Sequence, residues 1–147
     1  MAVFYPSKNL IAATKLFEGL RLRAYRDVAG ILTIGYGHTG KDVREGMAIS
    51  EARAEELLKE DLAAAGKYVN RLYVCKTQGQ YDALTDFVYN LGSHSLAKST
   101  LLKRIKKGRP VDEIQKEFRR WVYAGGKVQR GLVRRRNWEA LRYSQDD

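Results

Sequence analysis

Cysteine, proline and long apolar runs are all scarce in this chain of 147 residues. The single cysteine, Cys75, excludes an internal disulfide and fits folding in a reducing cytoplasm. It lies in the apolar segment LYVC, which favours a buried, unreactive thiol over a nucleophile. The chain has only 2 prolines, and its sequence contains no repeat and no low-complexity tract. Only 2 histidines are present, without CxxC or HExxH spacing, so we expect no metal site and no cofactor.

The amino-terminal part of the sequence lacks the features of an export signal or a membrane anchor. Charged and polar residues interrupt its apolar run, and no small-residue cleavage site follows. No stretch approaches the ~20 apolar residues that a membrane span needs. We therefore expect synthesis in the cytoplasm. If the target lies outside the cytoplasm, something else must let the protein out.

Positive charge is in excess, because 27 Lys and Arg stand against 17 Asp and Glu, a net charge of +10. This balance indicates a polyanionic partner, such as nucleic acid, anionic lipid or an acidic wall polymer. The basic residues are scattered and form no recognition-helix or single-strand motif, which counts against specific nucleic-acid binding. A membrane-permeabilising protein that acts through basic helices is a further alternative.

The apolar periodicity predicts a mostly helical α+β protein with one small antiparallel sheet. Helices are predicted at residues 7–17, 50–68, 77–91, 100–107, 110–122 and 132–143. The sheet is predicted as a hairpin of residues 21–25 and 31–36, to which 47–49 can add an edge strand. Residues 71–76 are predicted to be extended and 124–126 to form a loop.

The length suits a single domain, residues 1–147, that divides into two lobes. The sheet-bearing lobe is expected at about residues 19–66. The helical lobe is expected at about 67–147, together with the amino-terminal helix 7–18. The long helix that begins after Ser50 would be the spine between them, and a ligand would lie in the cleft between the lobes.

Three polar residues near the hairpin suit the cleavage of a glycosidic bond. Glu18 falls at a helix end, where the carbonyl dipoles and burial between lobes both favour a protonated carboxyl. Asp27, beside the turn, should be better solvated and ionised, and glycosidases need one carboxyl in each state. Thr33, on the returning strand, can hold a water against Asp27. A helix-end acid, a turn aspartate and a strand threonine often occur together by chance. The alternative is therefore that these three residues share no function.

The spacing Glu-x8-Asp-x5-Thr belongs to a longer series of segments that resembles the phage-type lysozymes, or endolysins. These segments keep the family's order over nearly the whole chain. They are EG, AYRD, LTIGYGHTG, SEARAEELLKEDL, QGQYDALTDFVYNLG, W-x-x-A-G-G and GLVRRRNWE. The resemblance implies a monomeric two-lobed enzyme that lyses the host cell by cleaving peptidoglycan. The bond would be the β-1,4 bond between N-acetylmuramic acid and N-acetylglucosamine. The enzyme would be made in the host cytoplasm and would act on the cell wall, in the periplasm, after release by a separate membrane-opening protein.

The resemblance also implies roles for the three polar residues. Glu18 matches the general acid, Asp27 the acid opposite it, and Thr33 the hydroxyl that positions the hydrolytic water. Inversion is implied, for which the two carboxyl groups should lie ~6.5–9.5 Å apart. A lytic transglycosylase is the nearest enzymatic alternative. Anionic wall or outer-membrane polymers are expected as additional partners of the basic surface.

Asn90, Gly35 and His38 are weaker candidates for substrate binding. The resemblance places Asn90 at a cleft position, although capping of a helix end is an equally good interpretation. Gly35 is expected to permit a positive φ or a close approach of sugar to the backbone. For His38 the resemblance favours a structural pairing with Asp61 over a role as catalytic base.

Two features of the carboxyl-terminal part remain open. The run Arg134–Arg136 suits a solvated helix face, or one inward arginine, of which Arg134 is the candidate, that reaches Glu18 or its helix. Trp121 and Trp138 lie on helical faces, where core packing is favoured over a sugar-binding platform.

Overall fold

The computed structural model describes residues 2–147, and helices make up most of it. The helices are α1 Lys8–Glu18, α2 Glu51–Leu72, α3 Gln78–Leu91, α4 Ser93–Lys98, α5 Thr100–Lys106, α6 Val111–Phe118 and α7 Arg130–Tyr143. The strands are β1 Arg21–Arg26, β2 Leu32–Gly35, β3 His38–Thr39, β4 Tyr123–Ala124 and β5 Lys127–Val128. The predicted class, mostly helical α+β with a small antiparallel sheet, is confirmed.

Helix α1 has the ends that its sequence predicts. The Ser7 side chain accepts a hydrogen bond from the backbone N–H of Leu10 at 3.1 Å, which caps the first turn. Gly19 follows the last helical residue with φ of 73°, and its N–H donates to the carbonyl of Lys15. Glu18 is therefore the last helical residue, and the chain turns directly from it into β1.

The amino-terminal sheet has the order β1-β2-β3 with antiparallel pairing. Tyr25 lies opposite Thr33 across β1 and β2, and Thr33 lies opposite Thr39 across β2 and β3. Strand β3 was not predicted, because its segment is rich in glycine. The edge strand expected at residues 47–49 is reduced to a single bridge between Ala48 and Arg23.

The main core surrounds α3, which contacts α2 on one side and α7 on the other. Leu84 and Phe87 of α3 are fully buried. Trp121 packs edge-on against Phe87, and Trp138 packs against Phe17, so the predicted core positions of both tryptophans are confirmed.

The thiol of Cys75 also behaves as predicted. Cys75 packs against the main core, and burial raises the pKa of its thiol to about 12. The thiol is therefore not a nucleophile near neutral pH. Within residues 2–147, no helix is both long and apolar enough to cross a bilayer.

Two predicted boundaries are wrong. Helix α2 continues through Leu72 instead of stopping at residue 68, because the buried face of this helix extends to Val69. It ends at Tyr73, which has φ of 54°. Residues 71–76 are thus only partly extended. Helix α6 stops at Phe118 instead of continuing to residue 122.

Two short elements were missed. Helix α4 occupies Ser93–Lys98, immediately after the Gly92 that ends α3. The predicted loop at residues 124–126 is the turn of a β4–β5 ribbon, in which Gly125 and Gly126 have φ of 60° and 76°. Two successive positive φ angles are typical of a tight hairpin turn, and glycine accepts them at no steric cost. The division into lobes near residue 66 stays a prediction.

Candidate active site

A cleft of about 390 Å³ opens where the end of α1, the β2–β3 turn, α2 and the end of α3 meet. It is lined by Glu18, Gly37, Thr39, Asp61, Ala65, Tyr89 and Asn90. A separate cavity of about 500 Å³ beside Trp121 contains none of the predicted site residues. Two of those residues, Glu18 and Asn90, therefore face one concave surface.

Glu18 is held in this cleft by an arginine from the other end of the chain. Its Oε2 accepts a hydrogen bond from Nη1 of Arg135 at 2.7 Å. The Glu18 side chain is 21% exposed and that of Arg135 only 5%. Gly37 has φ of 85°, and a Cβ at this position would lie 2.8 Å from Oε1 of Glu18. Glycine thus lets the β2–β3 turn pack closely against the acid.

The arginine that reaches Glu18 is Arg135, and the candidate Arg134 was wrong by one position. Helix α7 begins at Arg130, and its inward face carries Arg135, Glu139 and Arg142. Arg134 lies on the exposed side. Since Arg135 is 4% and Arg136 0% exposed, the interpretation of this run as a solvated face is wrong for both.

Asp27 and Thr33 are brought together by the hairpin through the backbone of Ile31. Asp27 Oδ1 accepts hydrogen bonds from the N–H groups of Ala29 and Ile31, both at 2.9 Å. The Thr33 hydroxyl donates to the carbonyl of Ile31 at 2.9 Å. The hydroxyl proton is thus used within the hairpin, so toward a further partner this buried group can act only as an acceptor. Neither side chain is among the groups that line the Glu18 cleft.

His38 lies between two carboxylates, and the predicted pairing with Asp61 is confirmed. Its Nδ1 is 2.7 Å from Asp61 Oδ2, and its Nε2 is 3.0 Å from Asp42 Oδ2. Burial lowers the pKa of His38, but the hydrogen bonds and charges of Asp61 and Asp42 outweigh it and raise the pKa above its ordinary value. Both ring nitrogens are thus engaged within the protein, and substrate binding by His38 stays a prediction.

Asn90 lines the cleft beside Glu18. It lies in the last turn of α3, and its Oδ1 accepts from Nη2 of Arg136 at 2.8 Å. The residue that caps α3 is Gly92, so the helix-capping interpretation of Asn90 is wrong. Substrate contact by Asn90 stays a prediction.

Gly35 has the positive φ that was expected, 69°. A Cβ at this position would lie 3.4 Å from Cβ of Ala54 in α2, which is an ordinary contact distance, so the backbone conformation is what favours glycine here. Substrate contact by Gly35 stays a prediction.

Sequence reasoning missed the cleft residue Tyr89 and the buried acids behind the cleft. The Tyr89 hydroxyl donates to the carbonyl of Tyr36, which ties α3 to the sheet. Asp82 and Asp86 are fully buried on α3. The available signal was the presence of two acids four residues apart among the apolar residues of α3, because buried carboxylates need charged partners.

Comparisons with known proteins agree on one family. Residues 15–139 match the family model described as phage lysozyme. A SAR-endolysin of bacteriophage PS119 is 42% identical over 83% of this chain and 73% of its own length. An endolysin of Bacillus phage B103 is 46% identical over 89% of this chain, which spans only 49% of that relative. The solved endolysin from Escherichia coli O157:H7 phage FAHEc1 superimposes with a TM-score of 0.86 at 36% identity, covering 97% of this chain and 95% of its own.

Proposed function

The chain belongs to the phage lysozyme family of peptidoglycan-degrading glycoside hydrolases, and we propose that it cleaves the β-1,4 bond between N-acetylmuramic acid and N-acetylglucosamine. The observation that carries this proposal is the position of Glu18. Its carboxyl is partly exposed at a helix end, inside a cleft whose volume suits a small-ligand site. We assign Glu18 as the general acid, and Asp27 and Thr33 as the groups that position and activate water.

The assigned roles give a balanced inverting hydrolysis. Glu18 donates its proton to the glycosidic oxygen as the bond from that oxygen to the anomeric carbon breaks. A water attacks the anomeric carbon from the opposite face and gives a proton to Asp27. Since Oδ1 of Asp27 already accepts two backbone N–H groups, Oδ2 is the oxygen assigned to this water. Thr33 accepts a hydrogen bond from the same water.

Arg135 supports the acid after proton transfer. Once Glu18 has lost its proton, the carboxylate formed is next to the Nη1 donor, and charge-assisted hydrogen bonds of this kind are strong. Gly37 lies against Oε1 of the same carboxyl, and Tyr89 lines the same cleft. The acid is thus held in one orientation toward the cleft.

The test is Glu18→Gln assayed on purified peptidoglycan. The amide keeps the shape of the side chain but has no proton to donate, so hydrolysis should fall by about 10²–10⁴-fold. The thermal unfolding midpoint of the variant should stay near that of the wild type. Wild-type turnover by the variant would refute the proposed acid.

The products of the wild-type enzyme separate hydrolysis from the enzymatic alternative. Mass analysis of a digest should find reducing-end N-acetylmuramic acid. Anhydro ends would indicate a lytic transglycosylase. Proton NMR of the fresh products should detect the α-anomer if the reaction inverts, and the β-anomer would refute the assigned attack of water.

A further inference from the structure

One set of buried polar groups joins three helices directly behind the cleft. Asp86 of α3 accepts hydrogen bonds from Nε and Nη2 of Arg135 on α7, both at 2.9 Å. Oγ1 of Thr14 on α1 lies 3.0 Å from Oδ1 of the same carboxylate. The third guanidinium nitrogen, Nη1, donates to Glu18. We call Thr14, Asp86 and Arg135 the Asp86 set.

A second set repeats this chemistry one helical turn away on α3. Asp82 accepts from Nε of Arg142 at 3.0 Å and from Nη2 at 2.8 Å. The Ser7 hydroxyl on the α1 side also donates to Asp82. The remaining nitrogen of Arg142, Nη1, donates to Gln145 at 2.8 Å, near the end of the chain. Asp82 is as fully buried as Asp86 and also binds an arginine of α7 and a hydroxyl from the α1 side. Asp82 accepts a further hydrogen bond from Gln78 at 2.9 Å, and its set does not contact the proposed acid.

We propose that Asp86 is a positioning residue for the general acid, acting through Arg135. The inference rests on the proposed role of Glu18. A guanidinium is planar and rigid, so binding two of its nitrogens fixes the direction of the third. Asp86 therefore places the Nη1 donor against Glu18. It also prevents the guanidinium of Arg135 from moving toward the cleft together with the Glu18 carboxyl.

Asp86 also controls how much positive charge Glu18 experiences. A guanidinium paired with a buried carboxylate still offers Glu18 a hydrogen bond, but its charge is largely offset. If Asp86 were neutral, Arg135 would present its full charge to Glu18. A nearby cation favours the ionised carboxyl, and a general acid that ionises early loses activity at neutral pH.

Other charged and titratable groups belong to the same surroundings. They are Arg136 and Glu139 of α7, Tyr89 of α3 and Asp61 of α2. Burial, together with the hydrogen bond and charge of Asp86, raises the pKa of Glu139 well above its ordinary value. Burial opposes ionisation of Asp86, but Glu139 and the two arginines outweigh it and lower its pKa. The carboxylate that binds Arg135 directly, through Nε and Nη2, is that of Asp86.

The experiment compares Asp86→Asn with the matched control Asp82→Asn. The pH profile of peptidoglycan hydrolysis and the carbon-13 NMR titration of the Glu18 carboxyl are measured for both and for the wild type. Both variants should lose thermal stability to a similar degree. Only Asp86→Asn should move the alkaline limb of the pH–activity profile to lower pH, by about 1 unit or more. The NMR titration of the Glu18 carboxyl should move in the same direction. At neutral pH its kcat should fall while KM changes little.

Equal profiles and equal Glu18 titrations for the two variants would overturn the inference and leave the proposed function intact. A double variant, Asp86→Asn with Glu139→Gln, also removes the other nearby acid whose charge could offset that of Arg135. In this variant the shift of the alkaline limb to lower pH should persist or grow. If Glu18→Gln stays active, the proposed function fails instead, and the Glu18 titration still decides whether Asp86 controls that carboxyl.

A second variant keeps the inference testable if Asp86→Asn does not fold. Asp86→Glu retains the charge but displaces the guanidinium, so kcat should fall by at least 10-fold without movement of the alkaline limb. An unchanged kcat would overturn the positioning role. Asp82→Glu is the matched control and should keep wild-type kcat.

Discussion

The two halves of the candidate site are built in opposite ways. In the hairpin half, Asp27 and Thr33 bind backbone groups only two to four residues away. In the helix half, Glu18 binds Arg135, which is 117 residues away. The hairpin half can form as soon as its turn forms, whereas the helix half requires α1, α3 and α7 to be packed together. Changes to the buried residues that hold Glu18 should therefore alter stability and activity together, whereas changes in the hairpin half should separate them.

Arg135→Met should break the helix half most severely. It leaves Asp86 buried without its main partner, and breaking a buried ion pair in this way costs about 3–5 kcal/mol of unfolding free energy. Urea denaturation measures this loss. The exposed neighbour offers the control, because Arg134→Met should change stability by no more than about 0.5 kcal/mol. Equal effects of the two substitutions would contradict the buried network.

Thr33→Ala should show the separation expected for the hairpin half. Loss of the water-positioning hydroxyl should reduce kcat by about 10²-fold, which corresponds to about 2.7 kcal/mol in the barrier. The lost hydrogen bond to Ile31 should cost only about 1 kcal/mol of stability. Thr33→Ser keeps the hydroxyl and should retain most activity. Activity of Thr33→Ala near the wild-type level would remove Thr33 from the mechanism.

Asp27 allows its structural and chemical roles to be measured apart. Asp27→Asn keeps an oxygen to accept the N–H groups of Ala29 and Ile31, whereas Asp27→Ala removes it. We expect Asp27→Ala to be less stable than Asp27→Asn by about 1–2 kcal/mol in chemical denaturation. Both should be inactive, because neither can accept the proton of water. An active Asp27→Asn enzyme would show that the turn is the residue's only role.

The pairing of His38 gives the smallest effect and a defined pH dependence. The pKa of His38 is raised in the folded protein, so its pairing adds stability that is complete below the ordinary pKa of 6.5 and is lost as pH rises through the raised value. His38→Ala should therefore cost more stability at pH 5 than at pH 9. Thermal unfolding at the two pH values measures this difference. A cost that is the same at both would contradict a charged pairing.

The elements that could be predicted are those whose signals lie within a few residues. Ser7 and Thr77 cap their helices as their sequences indicate, since the side chain and the N–H that it binds are three residues apart. The hairpin that carries Asp27 and Thr33 follows from β-branched and aromatic residues on either side of a turn. The ribbon at Gly125 and Gly126 was missed because its strands are only two residues long.

The choice among three consecutive arginines shows where sequence reasoning stops. One residue turns a helix by about 100°, so the inward arginine depends on where α7 begins and how it packs. The ribbon before α7 and the buried acids on α3 together select Arg135, and no local pattern near residues 134–136 carries that information.

By itself, the sequence determined the α+β class, the capped end of α1 that carries Glu18, and the turn that carries Asp27, because local backbone chemistry specifies each of them. Only the tertiary structure decided which arginine reaches Glu18 and that Asp86 holds it there. The physical reason is that burying a charge is costly unless a partner meets it, and that partner comes from a helix distant in sequence.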